Sequence, residues 1–455
     1  MKPFAGRKRS SLTEGERAQL SHSSGRRLGF LAAAVVIASS TLALAQAGQL
    51  DGTFGTGGIF TTNFTQGDST MDIAVAIQSD GKIVVGGSTP GGGAVARLKT
   101  NGTLDSSFGT GGIVNNSFDL GVVVGVAIQP DGKILAAAAG FLGGSVGRFN
   151  PDGSIDTTFG NGGFASSKSI DSGPGILSAF ALQADGKILV TGAGLMGRYT
   201  SGGQLDTTFG SAGIASLASP IATAMALQSD GKILVTTGVG APTELFSSPF
   251  LPNQQAGAIA RYNTNGKLDK TFGISGQTAC VDSAAAIAIQ SDGKIVVAGA
   301  IPSKLMTLTS GGITFADNQI GFGLVRYNSD GSVDTSFGTG GGVDTGFGNS
   351  FPAGSAFALA IQSNGEIVVA GQAGSGNQSF TSSSFALARY TTTGKLDASF
   401  GSKGKVITPI GQGHISFVSA LALQSDGKIV AAGNSGPPAQ EGFVDNFAIA
   451  RYLVQ

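Results

Sequence analysis

One short string constrains this chain more than any other feature. Ile77-Gln78-Ser79-Asp80-Gly81-Lys82-Ile83 recurs at Gln129, Gln183, Gln228, Gln290, Gln362 and Gln424, making seven copies, with Asn364-Gly365-Glu366 the one departure from Asp-Gly-Lys. A second string, Leu50-Asp51-Gly52-Thr53-Phe54-Gly55, returns at Asp105, Asp156, Asp206, Asp269, Asp334 and Asp397. A third element is an arginine usually followed by an aromatic residue: Arg97, Arg148, Arg198, Arg261, Arg326, Arg389 and Arg451. Self-similarity at a fixed period marks a repeat architecture, in which each unit buries its apolar face against the next.

The copies read as four strands each. In the sixth, Phe357 to Gln362 is an apolar strand rich in small residues, and a Ser-Asn-Gly turn leads into the β-branched run Ile367 to Gly371. Elsewhere that turn is Ser-Asp-Gly, where glycine closes a hairpin at positive φ. Phe385 to Tyr390 reads as the third strand, and Thr392-Thr393-Gly394 turns it into a fourth over Leu396 to Gly401. No stretch after Ala47 holds a 3.6-residue period. The expectation is an all-β fold: a seven-bladed β-propeller of four-stranded antiparallel blades spanning 48–455. The repeat region begins with a fourth-strand motif (Leu50 to Gly55) and ends with a third-strand motif (Phe447 to Tyr452). Pairing them completes the last blade, closes the ring and removes two exposed sheet edges.

These three motifs together resemble the bacterial delta-sixty β-propeller repeat, over residues 50–452, with a layout similar to NHL-type propellers. The resemblance implies a fold and an envelope or extracellular setting, and no activity.

Residues 1–47 read as a secretory signal. Seven Lys/Arg and two acids fill the first 27 positions, an apolar run extends from Leu28 to Ala45, and small residues precede cleavage points after Ala45 or Ala47. The alternative is an uncleaved anchor, since eighteen apolar residues just suffice to span. Of the chain's 28 basic and 28 acidic residues, 21 and 26 then remain, a net of −5. A mildly acidic product lacks the electrostatic footprint of a nucleic-acid or anionic-membrane binder. The expected localisation is periplasm, cell surface or medium, and the expected state a monomer.

A site is usually built once, whereas the seven arginines, the seven aspartates and the glutamines Gln78, Gln129, Gln183, Gln228, Gln290, Gln362 and Gln424 recur in every unit. They are therefore expected to be structural, with each arginine paired to the aspartate of its own blade. The one Cys is Cys280, so no intrachain disulfide forms. His414 is the only histidine beyond the signal; no nucleophile elbow accompanies it, and His/Cys metal clusters are missing. Asn150 to Asp156 and Asn328 to Asp334 superficially resemble calcium loops, but other copies of the same turn have lost the carboxylate. No catalytic residue, metal or cofactor is expected.

Function is placed instead on the face that carries the second-to-third strand connections. These are short in blades one to three and lengthen to 239–256, 300–318, 372–383 and 434–445 in blades four to seven. Long loops cost little closure entropy and concentrate binding residues. The candidates there are Phe246, Phe250, Met306, Phe315, Phe380 and Phe443, with Phe347 and Phe351 from the connection 339–354. The opposing reading packs these side chains on the blade tops. The leading expectation is a non-catalytic scaffold for a protein or polymer partner; the alternatives are a channel-mouth lyase or hydrolase and a purely structural surface protein.

Overall fold

The second strand of each repeat is apolar on both faces, which demands cover on both sides. In the computed structural model Ile367, Val368, Val369 and Ala370 are all fully buried. The structure describes residues 46–62, 73–89, 92–119, 121–140, 144–166, 177–237, 257–281, 283–300, 307–308, 313–314, 321–348, 350, 353–375, 382–411, 413–437 and 446–454. Within them the strands form seven four-stranded antiparallel sheets and one small hairpin, with no helix.

Blade one runs Ala74–Ile77, Ile83–Thr89, Gly92–Leu98 and Ile113–Asp119, and blade six Ala353–Ile361, Ile367–Ser375, Ser382–Tyr390 and Lys405–Thr408. Among the described residues seven apolar clusters lie between consecutive blades rather than at one centre. Val84, Val95 and Phe108 of blade one, for example, share a cluster with Ile134 and Ala136 of blade two. Six of the innermost strands carry a register shift at the same point, such as Ala356/Ala358 in blade six. Bulges of this kind strengthen the local twist.

The ring closes as expected, by a different segment. Ile59–Thr62 pairs with Asn446–Tyr452 from Ile59↔Ala450 to Thr62↔Phe447 and forms the outer strand of blade seven. Leu50, placed in that strand from sequence, makes only an isolated bridge to Tyr452. The same correction applies in blade six, where Leu396 to Gly401 is a compact corner and Lys405–Thr408 is the strand. The corner is wound by its own motif: Asp397 Oδ1 accepts the Ser399 N–H, the Phe400 N–H bonds the Asp397 carbonyl, and Gly401 takes φ +53°.

The propeller also starts earlier than residue 48. Ala47 is 6% exposed, its carbonyl accepts the Gly401 N–H at 2.7 Å, and the Gly48 N–H donates to the Leu453 carbonyl at 2.7 Å. The two ends of the chain thus rebuild the turn that blade seven lacks.

Candidate functional site

The recurrent polar residues form one network per blade, seen clearly in blade four. Arg261, on the third strand Ala258–Tyr262, directs Nε to Asp269 Oδ2 at 2.9 Å and a terminal nitrogen to Thr271 Oγ1 at 3.3 Å. Its other terminal nitrogen donates to the Ser329 carbonyl in blade five. The guanidinium carbon lies 4.7 Å from the centroid of the Phe272 ring. A planar fork does all of this at once, which a lysine ammonium cannot. Asp269 accepts the Thr271 N–H and hydroxyl at 3.1 and 2.6 Å, and Lys232 from the first turn lies 3.3 Å away.

Burial alone would raise the Asp269 pKa, but the Thr271 hydrogen bonds and the Lys232 and Arg261 charges hold it down at about 2. Asp105 is likewise held at about 2 by Ser107 and Arg97 against the opposing effect of burial. Breaking a buried pair of this kind generally costs about 3–5 kcal/mol, because it strands a charge.

All seven arginines bond their aspartates at 2.7–2.9 Å: Arg97–Asp105, Arg148–Asp156, Arg198–Asp206, Arg261–Asp269, Arg326–Asp334, Arg389–Asp397 and Arg451–Asp51. Each also covers a phenylalanine of its own blade at 4.5–4.8 Å. Arg97 reaches Pro151, Arg148 reaches Ser201 and Arg451 reaches Thr100, each a carbonyl of the following blade. These residues pair within each blade, as their repetition implied, and also join it to the next. The cross-blade half of the network was not foreseen, since its partners lie more than fifty residues away in sequence.

The glutamines are less uniform. Gln290 and Gln424 accept from Arg326 and Arg451 at 3.3 and 3.4 Å, and Gln424 also donates to the Gly81 carbonyl. The Oε1 atoms of Gln78, Gln129, Gln183, Gln228 and Gln362 are buried without a protein donor. Carboxylates of the calcium-like turns are used locally: Asp152 accepts the Ser154 N–H and hydroxyl at 2.9 and 2.7 Å, and Asp330 does the same with Ser332.

Antiparallel pairing puts the first-to-second and third-to-fourth turns on one face and the remaining connections on the other. On that second face the blades are unequal. The second-to-third connection is 193–194 territory in blade three, where strands end at Gly192 and resume at Leu195, but spans 238–257 in blade four. In blade five it spans 301–321 and contains a hairpin, Thr307–Leu308 with Ile313–Thr314. The strands of blades six and seven run farther than expected, so their connections shrink to 376–381 and 437–445.

Of the candidate binding residues, Phe246, Phe250, Met306, Phe315, Phe351, Phe380 and Phe443 lie outside the described residues. Phe347 is a correction: it is 8% exposed and packs edge-on to Phe322 at 4.7 Å, so it belongs to the core between blades five and six.

A polar cluster missed from sequence sits on the same face. His414 Nδ1 lies 3.2 Å from Ser435 Oγ, which also meets the Ser416 hydroxyl at 2.9 Å and donates to the Ile410 carbonyl at 2.6 Å. Ser383 bridges from the neighbouring blade, accepting the Ser416 N–H and donating to its carbonyl, both at 3.0 Å. Ser435 is 1% exposed and its proton is directed to a carbonyl, a poor arrangement for a nucleophile. Among the described residues no group of three or more His, Cys, Asp or Glu is placed to hold a metal.

Six stretches, 78–108, 129–159, 183–209, 252–272, 308–337 and 362–400, match the family model described as "Domain of unknown function (DUF5122) beta-propeller". Six repeats of this chain thus match that β-propeller family model. Four of the six matches open on the repeat glutamine and the seventh, split copy falls outside them, as expected where one unit is assembled from both chain ends. A comparison with curated proteins finds no match. Among solved structures, the chain is similar to a streptogramin B lyase, at 13% identity over 87% of this chain and 97% of the other, with a TM-score of 0.51. It is also similar to virginiamycin B lyase from Staphylococcus aureus, at 12% identity over 87% and 99%, with a TM-score of 0.52. At such identity the likeness is one of fold.

Proposed function

We propose that the chain is an exported, non-catalytic propeller that binds a protein or polymer through the long-connection face, chiefly at blades four and five. One observation carries this reading. The recurrent ionisable groups are consumed in bonds that hold blade to blade, while variation in length is concentrated on the opposite face, in the 238–257 and 301–321 connections. Loops raised on a rigid scaffold are where recognition residues are usually carried. Export follows from the signal-like residues 1–45, and the net acidity of the remainder argues against nucleic acid as the partner. Cleavage after Ala45 leaves Ala47 in place to accept the Gly401 N–H.

The test is capture of partners from the source envelope and medium by residues 46–455, beside a variant with 239–256 and 302–320 replaced by short turns and shown by melting to be folded. Retention of a partner by the parent and its loss by the variant is the expected result. Equal capture, or none, would overturn the surface reading and favour a purely structural protein.

The enzymatic alternative draws on the lyase likeness and on the His414–Ser435 contact. The bond from Ser435 to the Ile410 carbonyl weighs against it.

A further inference from the structure

Blade six carries an uncompensated negative charge where the other repeats are neutral, and the difference coincides with a cavity. In the other six blades the first turn ends in a lysine whose ammonium lies 2.7–3.6 Å from the repeat aspartate, as Lys133 does from Asp156 and Lys294 from Asp334. With the turn aspartate two positions before the lysine, as Asp80 is to Lys82, the arginine, the lysine and the two aspartates leave each such locus neutral. In blade six Asn364 and Glu366 replace the turn aspartate and the lysine. Arg389 is then shared between Asp397 at 2.7 Å and Glu366 at 3.3 Å, and the locus carries −1.

At this point the seam between blades six and seven opens into a cavity of about 620 Å³, within the size range of small-molecule sites. Its charged lining groups are Glu366, Asp426 and Arg389. Asp426 has its own cation, Lys428, at 2.8 Å, whereas Glu366 has only the arginine it shares. Gln362 also lines the cavity; it is 8% exposed and its Oε1 has no donor. In blades five and seven the equivalent oxygen accepts from the blade arginine, but Arg389 turns to Glu366 and the Val454 carbonyl instead. A buried acceptor left without a donor is destabilising, and a ligand N–H would satisfy it. The same oxygen is unpartnered in blades one to four, but there a lysine stands at the turn in place of the carboxylate.

We propose that this seam binds a primary amine on an alkyl chain, the chemistry that the other six blades supply from their own lysine. The ammonium would donate to Glu366 and to Gln362 Oε1, and the chain would lie against Leu423 and Val454, which complete the apolar part of the lining. The site is on the tight-turn face, independent of the long connections.

Calorimetric titration of residues 46–455 with cadaverine at low salt tests this, beside tetramethylammonium, which has the charge without N–H donors, and Ca²⁺. Saturable binding of cadaverine alone is expected. Glu366→Gln should weaken it by about tenfold or more. Glu366→Lys should abolish it while melting no lower than the parent, because six blades already fold around a lysine there. The proposal is overturned by failure of the parent to bind, by equal binding to the Glu366→Lys variant, by failure of that variant to fold, or by a Ca²⁺ site that cadaverine does not contest.

Discussion

Each ring aspartate sits where desolvation and hydrogen bonding pull in opposite directions, and the bonds win. Asp105 and Asp269 titrate at about 2 in the fold against 3.8 for the free side chain, and Asp51, Asp206 and Asp397 are lowered as well. A folded pKa below the unfolded one means that the unfolded chain binds more protons as the solution is acidified. The stabilisation is therefore complete above the unfolded value and is lost as pH falls through the folded one. Urea melts should give an unfolding free energy that is flat above about pH 5 and declines between about pH 4 and 2. A stability that rose on acidification through that window would contradict the network's role.

At the scale of the element, the third-to-fourth turn must fit beneath the phenylalanine of the preceding blade. Gly153, at φ +87°, lies so close to blade one that a Cβ would stand 2.7 Å from the Gly109 backbone nitrogen and 3.0 Å from the Phe108 ring. Gly111, at φ +64°, has nothing within 4 Å. Gly153→Ala should therefore destabilise by about 2–4 kcal/mol, combining the left-handed penalty with a clash between blades. Gly111→Ala should cost only about 1–2 kcal/mol, from the conformation alone. Equal losses in thermal or urea melts would remove the packing argument.

The same element shows what was legible in the sequence. Seven copies of three motifs sufficed for the fold, the blade count and the Arg–Asp pairing. They did not place the fourth strand, because Leu-Asp-x-x-Phe-Gly alternates like a strand while Asp397 and Gly401 wind it into a corner. Phe347 read as a loop aromatic because the ring that receives it, Phe322, is 25 positions away and recognisable only once blades five and six are stacked. The His414–Ser416–Ser435 cluster left no periodic trace, since it occurs in one blade pair alone among the described residues.

Across the whole molecule, blade seven is the one held together without chain continuity. Ile59–Thr62 supplies its outer strand, Asp51 neutralises Arg451, and the Gly48 N–H meets the Leu453 carbonyl. Removing residues 46–62 would expose a sheet edge and leave the buried Arg451 without its carboxylate. Gel filtration and melting of that truncation should show a lower melting temperature and self-association. A monomer as stable as the parent would mean that closure contributes little.

Such an arrangement also orders events in time. A chain made from its amino end holds Ile59–Thr62 without a partner until Asn446–Tyr452 has been synthesised, nearly four hundred residues later. Six blades can form by pairing near neighbours, but the circle is locked only by the last contact to become available. Until then any interrupted product remains an open arc with an unsatisfied strand at each end, so synthesis of Asn446–Tyr452 is itself the checkpoint for a closed ring.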